Sequence, residues 1–413
     1  MRPPIYSAEA ATIITPPLSV YIHLPWCIKK CPYCDFNSFG LPASEALPEK
    51  RYLEALVRDL ESELPGVWGR PVTSVFFGGG TPSLFSPDTL ADLLSTLRAR
   101  LPLRPDTEIT LEANPGTAES DRFRGFRDAG VNRLSLGIQS FSRDALVRLG
   151  RVHDERQALQ AVAVAQAAGF QEINLDLMFG LPGQSIRAGL DDLRLAISLG
   201  PTHISWYQLT LEPNTVFAAR PPPLPDDDEI NDLFSQGLAI LEQAGYERYE
   251  ISAYARSGSQ CQHNRNYWEF GDYLGLGAGA HGKLTLPAEN TIQRTIKPRQ
   301  PEAYMRTPLA ESISTVHPSQ RPFEFMLNAL RLVYGVPSTS FIERTGIPLA
   351  AIESVLNHAH ASGLLAREED RLRATEQGLW FLNDLVASFL PDPETSEASR
   401  AQTTPPENEN AGH

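Results

Sequence analysis

The chain has 413 residues, 42% of them hydrophobic, and a formal net charge of −14. That length can bury two or three domains or one large α/β barrel, and the acidic balance excludes a general nucleic-acid binder, because phosphate contact needs a basic surface. Residues 1–17 hold one basic residue and no apolar run of signal-peptide length, and no stretch reaches the ~18–20 apolar residues that cross a bilayer, so an integral membrane protein is not expected and the reducing cytoplasm is the expected setting.

Residues 1–17 read as a flexible N-terminus. From 18 to 255 short β-rich runs alternate with amphipathic helical segments. The strands are predicted at Leu18–His23, Val72–Phe77, Glu108–Ala113, Arg133–Ile138, Glu172–Met178, Ile204–Leu209 and Tyr249–Tyr254. The helices are predicted at Glu49–Leu64, Asp88–Arg100, Glu155–Ala168, Ile186–Leu199 and Asp227–Ala244, the last opened by Asp226, Asp227 and Asp228. This alternation predicts an α/β fold with a parallel sheet and right-handed crossovers, and six or seven units predict a complete or partial β/α barrel with its site on the loops after the strands.

Residues 256–320, first rich in glycine and aromatics and then polar, are expected to connect to a C-terminal module at 321–390. Helices at Phe323–Val333 and Leu349–Ala361 and a strand pair within Gly363–Ala374 give that module an α+β, winged-helix-like pattern. Its helices lack a basic face, which favours packing or partner contact over DNA. The tail 391–413 is rich in Pro, Glu, Ser, Thr and Asn and is expected to be disordered.

Chemistry concentrates on the loops after the strands. Cys27, Cys31 and Cys34, spaced C-x3-C-x2-C, directly follow the first strand, and Cys261 is distant. Three thiolates hold a [4Fe–4S] cube with one iron left open, whereas structural zinc takes four ligands in paired knuckles. Zinc stays open as an alternative through His23, and a disulfide is disfavoured by the odd number. Phe76–Pro82 carries Gly78, Gly79, Gly80 and Thr81, a backbone that lets a ligand approach closely. Glu112 ends the third strand, where a carboxylate can accept from hydroxyls or an ammonium, and an exposed turn acid is the plain alternative. On the fourth strand Arg133, Ser135, Gly137 and Gln139 share one face, either a polar barrel interior or a solvent face. Arg151 can fork onto a carboxylate. Asp176 stands inside an apolar strand and needs a partner.

The run Tyr21–Phe36 together with the glycine motif resembles the radical S-adenosylmethionine (SAM) superfamily. Over roughly 18–282 the order and spacing of motifs resemble its branch related to oxygen-independent coproporphyrinogen III oxidase. The resemblance implies a partial barrel, a [4Fe–4S] cluster on Cys27, Cys31 and Cys34, and S-adenosylmethionine chelating the fourth iron. It implies cofactor-binding roles for Tyr21, Tyr33, Gly79 and Glu112, and for Gly80, Thr81, Gln139, Arg151 and Asp176, several of which match positions that hold a second S-adenosylmethionine in the oxidase.

Two departures point away from that oxidase. It has a fourth cysteine two residues after the third ligand, where this chain has Phe36, and a longer N-terminal arm than the 20 residues before Tyr21. The run Cys261-Gln-His263-Asn264-Arg-Asn-Tyr267-Trp268 resembles the H-N-x-x-Y-W signature of a heme-chaperone branch of the same family. It implies heme as ligand, His263 as the leading heme contact, Tyr267 and Trp268 beside the porphyrin, and heme-accepting apoproteins such as respiratory hemoproteins as partners, with a flavodoxin-like electron donor. The plain alternative gives His263 and Asn264 a turn-capping role and puts both aromatics in the core. Cys261 reads as a small buried hydrophobe, and His281, in a glycine-rich loop, ranks behind His263. The expected function is heme chaperoning without a catalytic residue. The alternatives are coproporphyrinogen III dehydrogenase and a tetrapyrrole radical SAM methyltransferase.

Overall fold

The computed structural model describes residues 12–42, 44–117 and 120–391. Residues 1–11 of the N-terminus and all of the tail beyond 391 lie outside the described residues. The chain forms two compact units, one of Thr15–Thr315 and one that joins the N-terminal residues through Ile14 to Val316 onward.

The first unit is built on one twelve-stranded sheet. In chain order its strands are β1 Leu18–Leu24, β2 Val72–Gly79, β3 Leu103–Ala113, β4 Arg133–Gln139, β5 Glu172–Phe179, β6 His203–Gln208, β7 Glu247–Glu250, β8 Ala253–Ala255, β9 Asp272–Leu276, β10 His281–Leu286, β11 Thr291–Ile296 and β12 Ser312–Thr315. Their spatial order is β12-β11-β10-β9-β1-β2-β3-β4-β5-β6-β8-β7. Strands β1 to β6 are parallel neighbours, and β9 joins them parallel to β1. The flanking strands are antiparallel, and the sheet stays open, so the partial barrel is the form realised.

Alternation along the strands sorts core from interior. In β1, Leu18, Val20, Ile22 and Leu24 are buried in the apolar core with helices α1 (Glu49–Val67) and α2 (Pro87–Arg100). Ser19, Tyr21 and His23 point to the other face, where they meet Ser74, Phe76 and Gly78 of β2 in register. Helices α3 (Ser120–Ala129), α4 (Glu155–Ala167), α5 (Ile186–Ser198) and α6 (Asp227–Gln243) complete the crossovers. Asp226 caps α6 and forms a capping box with Glu229, with Asp227 and Asp228 in the first turn, as the acidic triplet predicts.

The predicted strand Tyr249–Tyr254 is corrected to two short strands. Ser252 donates from both its backbone N and its Oγ to Glu250 Oε1, and this turn reverses the chain so that β8 pairs antiparallel with β7 and β6. Beyond it, β9 to β12 extend the same sheet through Thr315, and helix α7 (Gln262–Trp268) lies between β8 and β9.

In the second unit, helices span Arg321–Ala329, Ser338–Thr345 and Glu353–Ala361, the last preceded by a 3-10 turn at Leu349–Ile352. The helix at Ser338–Thr345 has no counterpart in the sequence reading. Arg371–Leu372 pairs with Val336–Pro337, and the two arms of Gly363–Ala374 share one bridge, Leu365 to Ala374.

Candidate functional site

The three cysteines sit on a loop closed at its neck. Trp26–Cys27 pairs in parallel with Phe39–Gly40, with Phe39 N donating to Pro25 O and Leu41 N to Cys27 O, each at 2.8 Å. Within the loop Cys34 N donates to Cys31 O at 3.2 Å. Burial pushes the Cys27 and Cys34 thiols up, with a further push on both from the neighbouring Cys31 charge. Among the described residues no three His, Cys, Asp or Glu side chains converge on one metal ion.

His23, the fourth ligand in the zinc alternative, is engaged elsewhere. Its Nδ1 accepts from Tyr21 OH at 2.9 Å and its Nε2 donates to Asn37 O at 2.8 Å. Burial lowers its pKa to about 4, so the ring is neutral and this tautomer is the one the partners demand. Asn37 then ties the loop to the region after β9, because its Nδ2 donates to Ala278 O and Arg299 O, both at 2.9 Å. On the other side Phe217 N donates to Pro32 O at 3.1 Å, and Tyr33 packs with Ala145, Leu149 and Phe217. Gly150, at φ 69°, lies so close that a Cβ would stand 2.8 Å from Pro32 Cδ.

The remaining expected residues converge at the same edge of the sheet. Gly79 N donates to Glu112 Oε2 at 3.1 Å, and a Cβ on Gly80 would stand 2.5 Å from Trp26 O. Thr81 Oγ1 accepts from Asn114 Nδ2 at 2.7 Å, and Asn114 Oδ1 in turn accepts from Arg151. Arg151 also donates to Gly137 O at 2.6 Å and to Cys31 Sγ at 3.7 Å, while its buried Nε has no hydrogen-bond partner among the described residues. A cleft lined by Cys31, Thr81, Asn114, Arg151, Ile28 and Val152 opens there. Gln139 ends β4 at φ 67° and accepts from Tyr207 OH at 2.9 Å. Every residue of β4 is buried, so its polar face lines the barrel interior.

Asp176 finds the partners its burial requires. Ser135 Oγ donates to it at 3.0 Å and Asn174 Nδ2 at 2.7 Å, and Asn174 Oδ1 is held by His203 Nδ1 at 2.6 Å. Burial raises the Asp176 pKa. Burial first, and then the Asp176 charge, push Glu112 to about 8, against the Gly79 N–H that favours its anion. A carboxyl whose pKa is higher folded than unfolded contributes stability that is lost as pH rises toward that value. The ligand-free protein is therefore expected to lose stability between about pH 5 and pH 8, by up to about 1.4 kcal/mol per pH unit and less where water reaches the half-buried carboxyl. Denaturant titration across that range checks it: Glu112→Gln should show a flatter profile, and an unchanged slope would remove Glu112 as its source.

His263, the expected heme contact, lies buried in the core of this structure. It is 1% exposed, Ser74 Oγ meets its Nδ1 at 2.9 Å, and Tyr267 OH meets its Nε2 at 3.2 Å. It stacks on Phe76 with ring centroids 4.9 Å apart, and burial lowers its pKa to about 3. The N-terminus of α7 is pinned by Glu108, which accepts from Gln262 N and His263 N at 3.0 Å each, and Cys261 is buried beside it. Ser74 lies near the start of β2, and Arg133, which opens β4, donates to Ser259 O just before α7, so α7 sits at the edge of the barrel opposite the cysteine loop. Asn37, Asn114 and His203 were missed as organising residues, and only Asn114, inside the Glu112 motif, carried a sequence signal.

Comparison with known proteins gives these features their setting. Residues 21–196 match the Radical SAM superfamily and residues 316–381 the HemN C-terminal domain. The chain is 51% identical over 375 residues to the heme chaperone HemW of Escherichia coli (strain K12), covering 91% of this chain and 98% of that one. It is 35% identical over 393 residues to the Bos taurus protein named radical S-adenosyl methionine domain-containing protein 1, mitochondrial, covering 90% and 87%. Coproporphyrinogen III oxidase (HemN) from Escherichia coli shares the fold, with a TM-score of 0.76 over 92% of each chain at 22% identity. The chain belongs to the HemW family of radical SAM proteins.

Proposed function

We propose that the protein is a heme chaperone that binds heme and delivers it to heme-accepting apoproteins, respiratory hemoproteins among them. The observation that carries this reading is the 51% identity over nearly the whole length of a heme chaperone, against 22% with the oxidase of the same fold. Phe36, 59% exposed where the oxidase has its further cysteine, supports the same choice.

The residues present fit the cluster and S-adenosylmethionine that family membership implies. Cys27, Cys31 and Cys34 would hold the cluster, and Gly79, Gly80, Thr81, Glu112 and Arg151 would hold S-adenosylmethionine, with Tyr21, Tyr33, Gln139 and Asp176 around them. When bound, these groups supply one-electron cleavage of a carbon–sulfur bond. The chain's own share is placement. Gly79 and Gly80 let the motif pack directly on the His23 ring and the Trp26 backbone, the unpartnered Arg151 Nε offers a donor for a carboxylate, and Glu112 stands ready to accept from an ammonium or hydroxyls. Among the described residues no helix is long and apolar enough to cross a membrane, and the cytoplasm is the proposed setting, with a flavodoxin-like donor for the electron.

Anaerobic protein with a reconstituted cluster should bind hemin stoichiometrically with a Soret band, and should form no protoporphyrinogen from coproporphyrinogen with S-adenosylmethionine and a reductant. Absence of heme binding sinks the chaperone reading. Turnover of coproporphyrinogen would replace it with the dehydrogenase, and a methylated tetrapyrrole with the methyltransferase.

A further inference from the structure

With His263 in the core, the heme needs another place, and the turn between β9 and β10 offers one. That turn is held against the segment after β11 by Gly279 N donating to Pro298 O and Lys297 N donating to Ala280 O, both at 2.9 Å. The clasp so formed presents Ala278 O and Arg299 O, the two carbonyls that Asn37 of the cysteine loop binds. Because β9 runs parallel to β1, the clasp stands at the same edge of the sheet as the cysteines.

Two side chains on this clasp are exposed and uncommitted. His281 opens β10 opposite Ile296, and Arg299 follows β11. Among the described residues neither the imidazole nor the guanidinium makes a hydrogen bond or an ion pair. Partial burial and then the Arg294 and Arg299 charges keep the imidazole below its ordinary pKa, and so neutral near pH 7 with a lone pair to give. Phe36, exposed, immediately precedes Asn37.

Heme asks for an imidazole nitrogen on its iron, a cation for its propionates and apolar surface for its macrocycle. We propose, on the strength of the chaperone reading, that this clasp is the heme site: His281 ligates the iron, Arg299 pairs with a propionate and Phe36 lies against the ring. His263 and the H-N-x-x-Y-W helix then shape the barrel rather than touch heme. A shallow site open to solvent suits a carrier that must release its load to another protein.

Anaerobic titration of the cluster-loaded full chain with hemin, followed by absorbance and electron paramagnetic resonance, tests this. His281→Ala should lose the nitrogen axial-ligand signature and bind hemin about tenfold or more weakly, and imidazole added to the buffer should restore the signature. Arg299→Glu should weaken hemin and iron-free protoporphyrin IX alike, with Arg299→Lys recovering most of the loss. Iron-free protoporphyrin IX should bind His281→Ala as it binds wild type. Iron and sulfide content should be the same in all of these variants. An unchanged spectrum and affinity in His281→Ala overturns the site. Wild type that binds no hemin overturns the chaperone reading instead.

Discussion

Alanine at any one of Cys27, Cys31 or Cys34 is expected to drop bound iron from about four per chain to near zero after anaerobic reconstitution. The size of the effect follows from the loop. Its neck is closed by the Trp26–Cys27 to Phe39–Gly40 pairing and by His23 and Asn37 beside it, and Phe217 N holds Pro32 O at its far end, so the thiols cannot redistribute to cover a missing ligand. His23 cannot substitute, since both ring nitrogens are engaged. Cys261 cannot either, because it is 3% exposed and its thiol is turned to Glu108 at the opposite edge of the barrel. Cys261→Ala should therefore keep its iron. Iron and sulfide assays with absorbance near 400 nm make the comparison. Retained iron in Cys31→Ala, or lost iron in Cys261→Ala, would show that the ligands have been misassigned.

The cysteine loop, the glycine run and the parallel strands were legible because each is a local pattern: a spacing, a strand period, a turn. Strand β9 beside β1 was not, since a glycine-rich run joins that edge only through partners more than 250 residues away. His263 shows the limit most clearly. A histidine four residues before a tyrosine on one helix looks the same whether it meets a ligand or a core. Ser74, 189 residues away, takes one nitrogen, and Tyr267 takes the other. His281 looked structural because it stands among glycines, yet those glycines make the tight turn that leaves its ring exposed. Asp59 and Lys297 are ordinary charges in the sequence, and only the fold makes them a pair.

Lys297→Met is expected to cost about 3–5 kcal/mol of stability, the usual penalty for leaving one member of a buried ion pair alone. Both side chains are fully buried, with Lys297 Nζ 2.5 Å from Asp59 Oδ1 and also 2.5 Å from Glu63 Oε1. Asp59 further accepts from Tyr304 OH at 2.7 Å and Gly277 N at 3.2 Å. Burial pushes the Asp59 pKa to about 6 even though Lys297 pulls it down. Without the lysine it rises further, and the folded protein then holds a proton that the unfolded chain releases. The penalty should thus be smaller near pH 5 and grow toward pH 8, and Asp59→Asn in the same chain should recover part of it. The consequence reaches the site, because the bond from Gly277 N to Asp59 is one of those that hold the turn carrying Ala278 O, one of Asn37's two partners. Lys297→Met should load iron more slowly than wild type under conditions where it is still folded, although all three cysteines are intact. A variant that loses the stability but loads iron at the wild-type rate would separate the ion pair from the cysteine loop and leave it a purely structural feature of the sheet edge.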